Sequence, residues 1–414
     1  MLRIFHTADW HLGQSFFGYD RKLEHQHFLS WLKKRLFEKE VDVLLISGDV
    51  FDVSNPSAIA QRMFYEFLSE AINDNPSLQI VIIAGNHDSA SRLEVPQPLL
   101  DKGKVIIKGL IPKKEGLIDY DSLIIDLKNK RGEVEALCLA VPFLRQGDYP
   151  SVPHAENAYS AGVQAFYTEI IDVAKTRKEV NKALVIMGHL HTLKAEVADK
   201  DHSERIIIGG LEEISPEIFT DDVAYTALGH IHKAQCVAGS EKIRYAGSPL
   251  PLSFAEKNYK KGVVEVTIDA GKLVSVERIA YEPLIQLMSI PKQGSASPDS
   301  ILKELKNLPS ATNQLDYYPY LEINVLLTEP EPLLKSKIEE VLEQKAVRLA
   351  RIQSHFENKN ETEELMETEL LGLDNKSPID VANLYYQSKY GVDMPDELRS
   401  LFHEACSLVE IKEK

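Results

Sequence analysis

The chain has 414 residues, 44% of them hydrophobic, and carries 63 Asp and Glu against 47 Lys and Arg for a formal charge of −16. That is enough for two or three domains with one sizeable core. The absence of any 18-residue apolar run excludes a membrane-spanning helix, and three distant cysteines exclude a disulfide framework. Cys138, Cys236 and Cys406 read as reduced thiols of a cytoplasmic protein, and Asp9 stands too early for a removed signal peptide to precede it.

Taken in chain order, residues 2–7 are a β-rich apolar run that ends on Asp9-Trp10-His11. The spacing of Phe28, Trp31, Leu32 and Leu36 predicts a helix over 21–38. A second apolar run, 41–47, ends on Gly48-Asp49, and 58–72 reads as a second amphipathic helix. The run 80–84 ends on Gly85-Asn86-His87-Asp88. Strands are expected at 122–127 and 135–141. Val180-Asn181-Lys182 then separates a helix from the run 183–187, which ends on Gly188-His189. After a strand at 205–208, the run 224–228 ends on Gly229-His230-Ile231-His232, and strands follow at 243–246 and 262–268.

Five apolar runs thus end on Asp, Asn or His. Buried parallel strands read as continuous apolar runs, and α/β sheets bind ligands at their carboxyl ends. The expectation is a row of oxygen and imidazole ligands along a single sheet edge, which is the make-up of a dinuclear metal centre. Two divalent cations about 3.5–4 Å apart need a bridging carboxylate to offset their repulsion, and Asp49 is the candidate. Asp9 and His11 lie two apart, so on an extended segment they share one side with Trp10 opposite, and His230 and His232 repeat this arrangement. Asn86 adds an oxygen without charge. Imidazole with carboxylate suits Mn, Fe, Zn or Ni, and the lack of cysteine argues against structural zinc. Singly, a Gly-Asp after a strand is usually a capped turn; it is the joint pattern that points to metal.

These clusters, with Val141-Pro142-Phe143-Leu144-Arg145 and Tyr245-Ala246-Gly247-Ser248-Pro249-Leu250-Pro251-Leu252-Ser253-Phe254, resemble the calcineurin-type metallophosphoesterases and, more narrowly, the SbcD family of bacterial nuclease subunits. The resemblance implies a four-layer α/β sandwich, two mixed sheets flanked by helices, over 1–278. It implies one metal held by Asp9, His11, Asp49 and His232, and a second held by Asp49, Asn86, His189 and His230, with Mn²⁺ as the usual ion. His87 takes the place of the catalytic, non-ligand histidine, and Asp88 is expected to accept from its other ring nitrogen and set its tautomer. His191 is expected to stand beside the ligands rather than among them.

Residues 279–355 predict a small α+β block: strands at 284–290, 320–327 and 347–352, and helices at 299–308 and 332–344. It resembles the family's capping domain, which helps to hold DNA. An acidic linker is expected over 356–375 and a pair of amphipathic helices over 376–414. Such helices bury too little alone, and the family uses this tail to grip the coiled-coil ABC-type ATPase SbcC. No Gly-x-x-x-x-Gly-Lys-Ser/Thr loop occurs in this chain. The net acidity predicts weak, salt-sensitive DNA binding by the chain alone. Arg62, Arg92, Lys102, Lys104, Lys108, Lys113, Lys114 and the turn 257–261 are its local basic groups. The resulting expectation is a homodimeric, metal-dependent nuclease acting on double-stranded DNA ends and hairpins. Phe64, Tyr65 and Phe67 serve either the core or a dimer contact. A small-molecule phosphodiesterase shares the metal site but does not need the terminal helices, and an inactive scaffold would lack ligands.

Overall fold

The computed structural model describes residues 1–100, 104–196, 213–312 and 317–356, and isolated positions between 382 and 402. Lys102, the 205–208 strand, the acidic linker beyond Phe356 and, apart from those isolated positions, the terminal helix pair lie outside the described residues. The described part divides into two compact units, with the main break after Leu287. This is later than the expected 278, because Tyr281 still packs on Phe28 and Trp31 of the first unit.

The first unit holds two six-stranded sheets. In one, the order is Lys272–Ala280, Gly262–Asp269, Leu2–Thr7, Val43–Ser47, Gln79–Ile83, Val105–Lys108. In the other it is Gln235–Val237, Ser240–Tyr245, Tyr225–Gly229, Ala183–His189, Val134–Ala140, Ile124–Lys128. Pairing is parallel from Leu2–Thr7 to Val105–Lys108 in the first sheet and from Ser240–Tyr245 to Val134–Ala140 in the second. The remaining strands add on antiparallel, so both sheets are mixed. Their sequences explain the layering. Side chains alternate between the faces of a strand, and here both sets are apolar. Leu2, Ile4, Val43, Leu45, Val81 and Ile83 meet Ala136, Cys138, Val185 and Met187 of the other sheet. The intervening Phe5, Leu44, Ile46, Ile80 and Ile82 meet helices instead.

Helices Lys22–Glu38 and Ala58–Asp74 cover the first sheet, and Ala158–Arg177 covers the second through Val163, Phe166, Ile170 and Ala174. Ser57 and Asn157 cap two of these helices, accepting from the Ala60 and Ser160 N–H groups at 3.2 and 3.0 Å. The result is the expected four-layer sandwich. Phe64 and Phe67 are buried around Trp10, edge-on at 6.2 and 5.4 Å, and so belong to the core rather than to a dimer contact.

The second unit has the expected β-α-β-α-β order. Leu287–Ile290, Tyr320–Leu327 and Arg348–Phe356 form a three-stranded sheet, and helices Pro298–Lys306 and Leu334–Leu342 bury Ile301, Leu305, Ile338 and Leu342 with Leu321, Ile323 and Val325.

Candidate metal centre

Asp9, Asp49 and Asn86 follow three strands of the first sheet, whereas His189, His230 and His232 come from two strands of the second. The ligands therefore converge from the facing ends of two sheets, not from a single edge as the sequence suggested. One apolar run cannot reveal which sheet it joins. The approach is close: a Cβ at Gly48 would collide with the His189 ring, and one at Gly229 with the Ser47 carbonyl. Only glycine permits the two sheet edges to come this near.

The chain at the ligands is also turned rather than extended. Asp9, His11, Asp49 and His230 have φ of 55°, 46°, 48° and 101°, a region that non-glycine residues enter at a cost of about 1–3 kcal/mol and that clusters at functional sites. Asp9 and His11 still share a side while Trp10 enters the core, but the left-handed turn produces this, with His11 N–H donating to the Asp49 carbonyl at 3.0 Å.

Asp49 sits centrally. Its Oδ2 lies 3.3 Å from His189 Nε2 and 3.7 Å from His11 Nε2, and its Oδ1 accepts from the His87 N–H at 2.9 Å. Burial opposes its ionisation, but His189, His11 and His87 hold it well below the usual carboxylate range. Asp9 Oδ1 accepts from the His230 N–H at 2.9 Å, and burial raises its pKa. Asp9, His11 and His232 form one set of ligand atoms lying within 4.8 Å of one another, and Asp9, Asp49 and His189 form another. Asn86 Oδ1 lies 2.9 Å from His189 Nε2 and 3.1 Å from His230 Nδ1.

The protons around these groups identify what the site takes. A carbonyl only accepts, so His189 Nδ1, 2.9 Å from the Ser47 carbonyl, carries a proton and leaves Nε2 as a lone pair. That lone pair faces two acceptor oxygens, Asn86 Oδ1 and Asp49 Oδ2. Electron pairs converging in this way fit a cation. A second proton on His189 is the competing occupant, and although burial opposes it, Asp49 holds this imidazole up at about 9. Among the described residues, Asp9 Oδ2 and His11 Nε2 are buried without a hydrogen-bond partner, which is costly unless something binds there. The residues therefore fit a pair of divalent ions.

Several neighbours escaped the sequence reading. His232 Nδ1 lies 3.1 Å from Glu256 Oε1, and Glu256 Oε2 accepts from Lys261 Nζ at 2.7 Å and from the Leu252 N–H at 3.2 Å. Lys261 also reaches Ser248 Oγ at 2.8 Å. Lys261 is only 5% exposed and is thus not one of the free basic groups of the 257–261 turn, and Lys108 is half-buried, with burial lowering its pKa. His11 Nδ1 is 3.3 Å from Asp52 Oδ1.

The Asp88 carboxylate accepts from the Val50, Phe51 and Gly85 N–H groups at 3.2, 3.0 and 2.9 Å. It ties the two ligand loops together instead of facing His87. The His87 ring is fixed by the Asp52 carbonyl, 2.8 Å from Nδ1. Arg145 donates to the Asp88 carbonyl at 3.1 Å and to the Gly85 carbonyl at 3.4 Å, bracketing the same loop from the second sheet. Arg145 lies in the 141–145 motif and Asp52 three residues beyond Asp49, but their roles depend on contacts 35 to 60 residues away in sequence. The His191 ring lies 6.3 Å from that of His230 and joins none of the ligand sets formed by the described residues.

Residues 2–234 match the family model described as calcineurin-like phosphoesterase, and 283–390 match the one described as type 5 capsule protein repressor C-terminal domain. The SbcD subunit of the nuclease SbcCD from Rhodobacter capsulatus is 35% identical over 354 residues, 84% of this chain and 86% of its own. The Escherichia coli K12 protein of that name is 32% identical over 317 residues, 74% and 75% of the two chains. The Bacillus subtilis one is 27% identical over 426 residues, 99% of each. With these relatives and this sandwich, the chain belongs to the SbcD family of calcineurin-like phosphoesterases, metal-dependent phosphodiester hydrolases.

Proposed function

We propose that the chain is a dinuclear-metal-dependent DNA nuclease, the SbcD-type component of a complex with a coiled-coil ABC-type ATPase, SbcC, and that it cuts double-strand ends and hairpins. Asp9, His11, Asp49 and His232 hold one ion, and Asp49, Asn86, His189 and His230 hold the other. The observation that carries this is the position of the Asp49 carboxylate, whose Oδ2 lies 3.7 Å from His11 Nε2 and 3.3 Å from His189 Nε2, one imidazole of each proposed ion. Oxygen and imidazole donors accept Mn, Fe, Zn or Ni, and Mn²⁺ is proposed on the precedent of the family. A homodimer working in the cytoplasm completes the proposal.

Ions bound there supply Lewis acidity and an activated water for attack on a phosphodiester. The chain does the rest. The Asp52 carbonyl holds the proton of His87 on Nδ1, so Nε2 is the atom free to meet the substrate. As imidazolium the ring carries its second proton on Nε2, and passing that proton to the departing 3′ or 5′ oxygen leaves the neutral Nδ1–H tautomer that the Asp52 carbonyl holds, a contribution of order 10²–10⁴ in rate. Asp88 and Arg145 fix the loop that carries Asn86 and His87.

The experiment is cleavage of end-labelled hairpin duplex by the purified chain in Mn²⁺, with and without the ATPase and ATP. Cutting that the partner stimulates supports the proposal. Hydrolysis of a small phosphodiester with duplex untouched, even with the partner present, would replace it with a small-molecule phosphoesterase.

A further inference from the structure

The two loops that set His87 also build one wall of a cavity of about 210 Å³. Phe51, whose N–H donates to Asp88 and whose successor Asp52 fixes the His87 ring, lines it. So does Ser89, two residues beyond His87. Helix Ala58–Asp74 contributes Gln61 and the half-buried Tyr65, and Arg92 and Leu93 also line the cavity. The Arg92 guanidinium is held by Asn55 Oδ1.

The charge of this cavity sets it apart. The chain carries −16 overall, yet among the described residues no carboxylate lines this cavity and one arginine does. A second cavity, between helices Lys22–Glu38 and Ala58–Asp74, is lined by Glu66 and Glu70 with Lys33. Aromatic rings beside an amide, a hydroxyl and a guanidinium are the groups that receive unstacked bases: the ring stacks, and the polar groups meet the base edge. The volume is below the ~300–1,000 Å³ of pockets for larger ligands and suits one ring system.

We propose that this cavity receives one nucleobase of the cleaved strand, beside the scissile phosphate, with Tyr65 as its stacking ring and Gln61 and Ser89 at its edge. The proposal rests on the nuclease reading. It makes the enzyme sensitive to the presence of a base at one position relative to the cut, whatever that base is, because stacking is tolerant of sequence.

The test uses the full chain with Mn²⁺ and a linear duplex whose cutting positions are first mapped. A stable abasic nucleotide is then walked past one cut, one position at a time. Cleavage should fall by roughly ten-fold, the size of one lost stacking contact, when the abasic nucleotide occupies a single position next to that bond. Tyr65→Ala should slow cutting of normal DNA to a similar degree and abolish the abasic effect, whereas Tyr65→Phe should retain it. Melting temperatures establish that both variants are folded. Equal cutting of normal and abasic duplexes overturns the pocket while leaving the nuclease reading intact, as does an abasic effect that survives in folded Tyr65→Ala. A wild-type chain that cuts no DNA even with the ATPase and ATP added overturns the nuclease reading and the pocket with it.

Discussion

His87 Nδ1 lies 2.8 Å from the main-chain carbonyl of Asp52, 35 residues earlier in the chain. Because that oxygen can only accept, the tautomer of His87 is fixed by backbone, and no side-chain substitution at 52 removes the contact. His87→Ala should therefore lower phosphodiester turnover by about 10²–10⁴ while calorimetric Mn²⁺ binding stays intact. Unchanged turnover in the metal-loaded variant would remove His87 from the mechanism.

Glu256 links a ligand to a buried charge. Glu256→Gln should weaken Mn²⁺ affinity about 10–100-fold, the usual effect of losing the carboxylate behind a ligating imidazole. Glu256→Ala should in addition destabilise the fold by about 3–5 kcal/mol in denaturant titration, because Lys261 is left buried and unpaired. Adding Lys261→Met should restore stability but not affinity.

His6 is fully buried, paired through Nδ1 with the Tyr225 hydroxyl at 2.9 Å, and burial lowers its pKa to about 3. The folded state thus binds a proton less readily than the unfolded chain, whose His titrates near 6.5. The contribution of His6 to stability is complete above about pH 6.5 and falls by about 1.4 kcal/mol per unit as pH drops from there towards about 3. Chemical denaturation between about pH 7 and 5 should show a shallower slope in His6→Gln. Identical slopes would mean that His6 is charged in the fold.

Gly85→Ala places a methyl group against the Asp49 carboxylate. The variant should lose Mn²⁺ binding and at least about 10² in turnover, since a displacement of about 1 Å already costs that much. Wild-type activity would show that the loop yields without disturbing Asp49.

Much of this was legible in the sequence. The apolar runs marked the central strands because both faces of each are buried, and the helices at 22–38 and 58–74 followed from their periodicity. The strands Val105–Lys108 and Lys272–Ala280 escaped notice: their alternating burial carries a weaker signal, and no ligand follows them. The candidate ligands stood out in the sequence by residue type and by their place at strand ends. Their supports did not: Asp52 acts through its main chain and Glu256 across 24 residues, and Asp88 turns away from His87 because three amide hydrogens of the ligand loops claim its carboxylate. Local sequence holds no record of such contacts.

The most direct test of the account is cleavage of end-labelled linear duplex DNA by the purified chain in Mn²⁺, in EDTA, and by Asp49→Ala in Mn²⁺. One carboxylate shared by two ion sites predicts cutting in Mn²⁺ and none in the other two reactions, with Asp49→Ala folded. Cutting that persists in EDTA or in Asp49→Ala would contradict it.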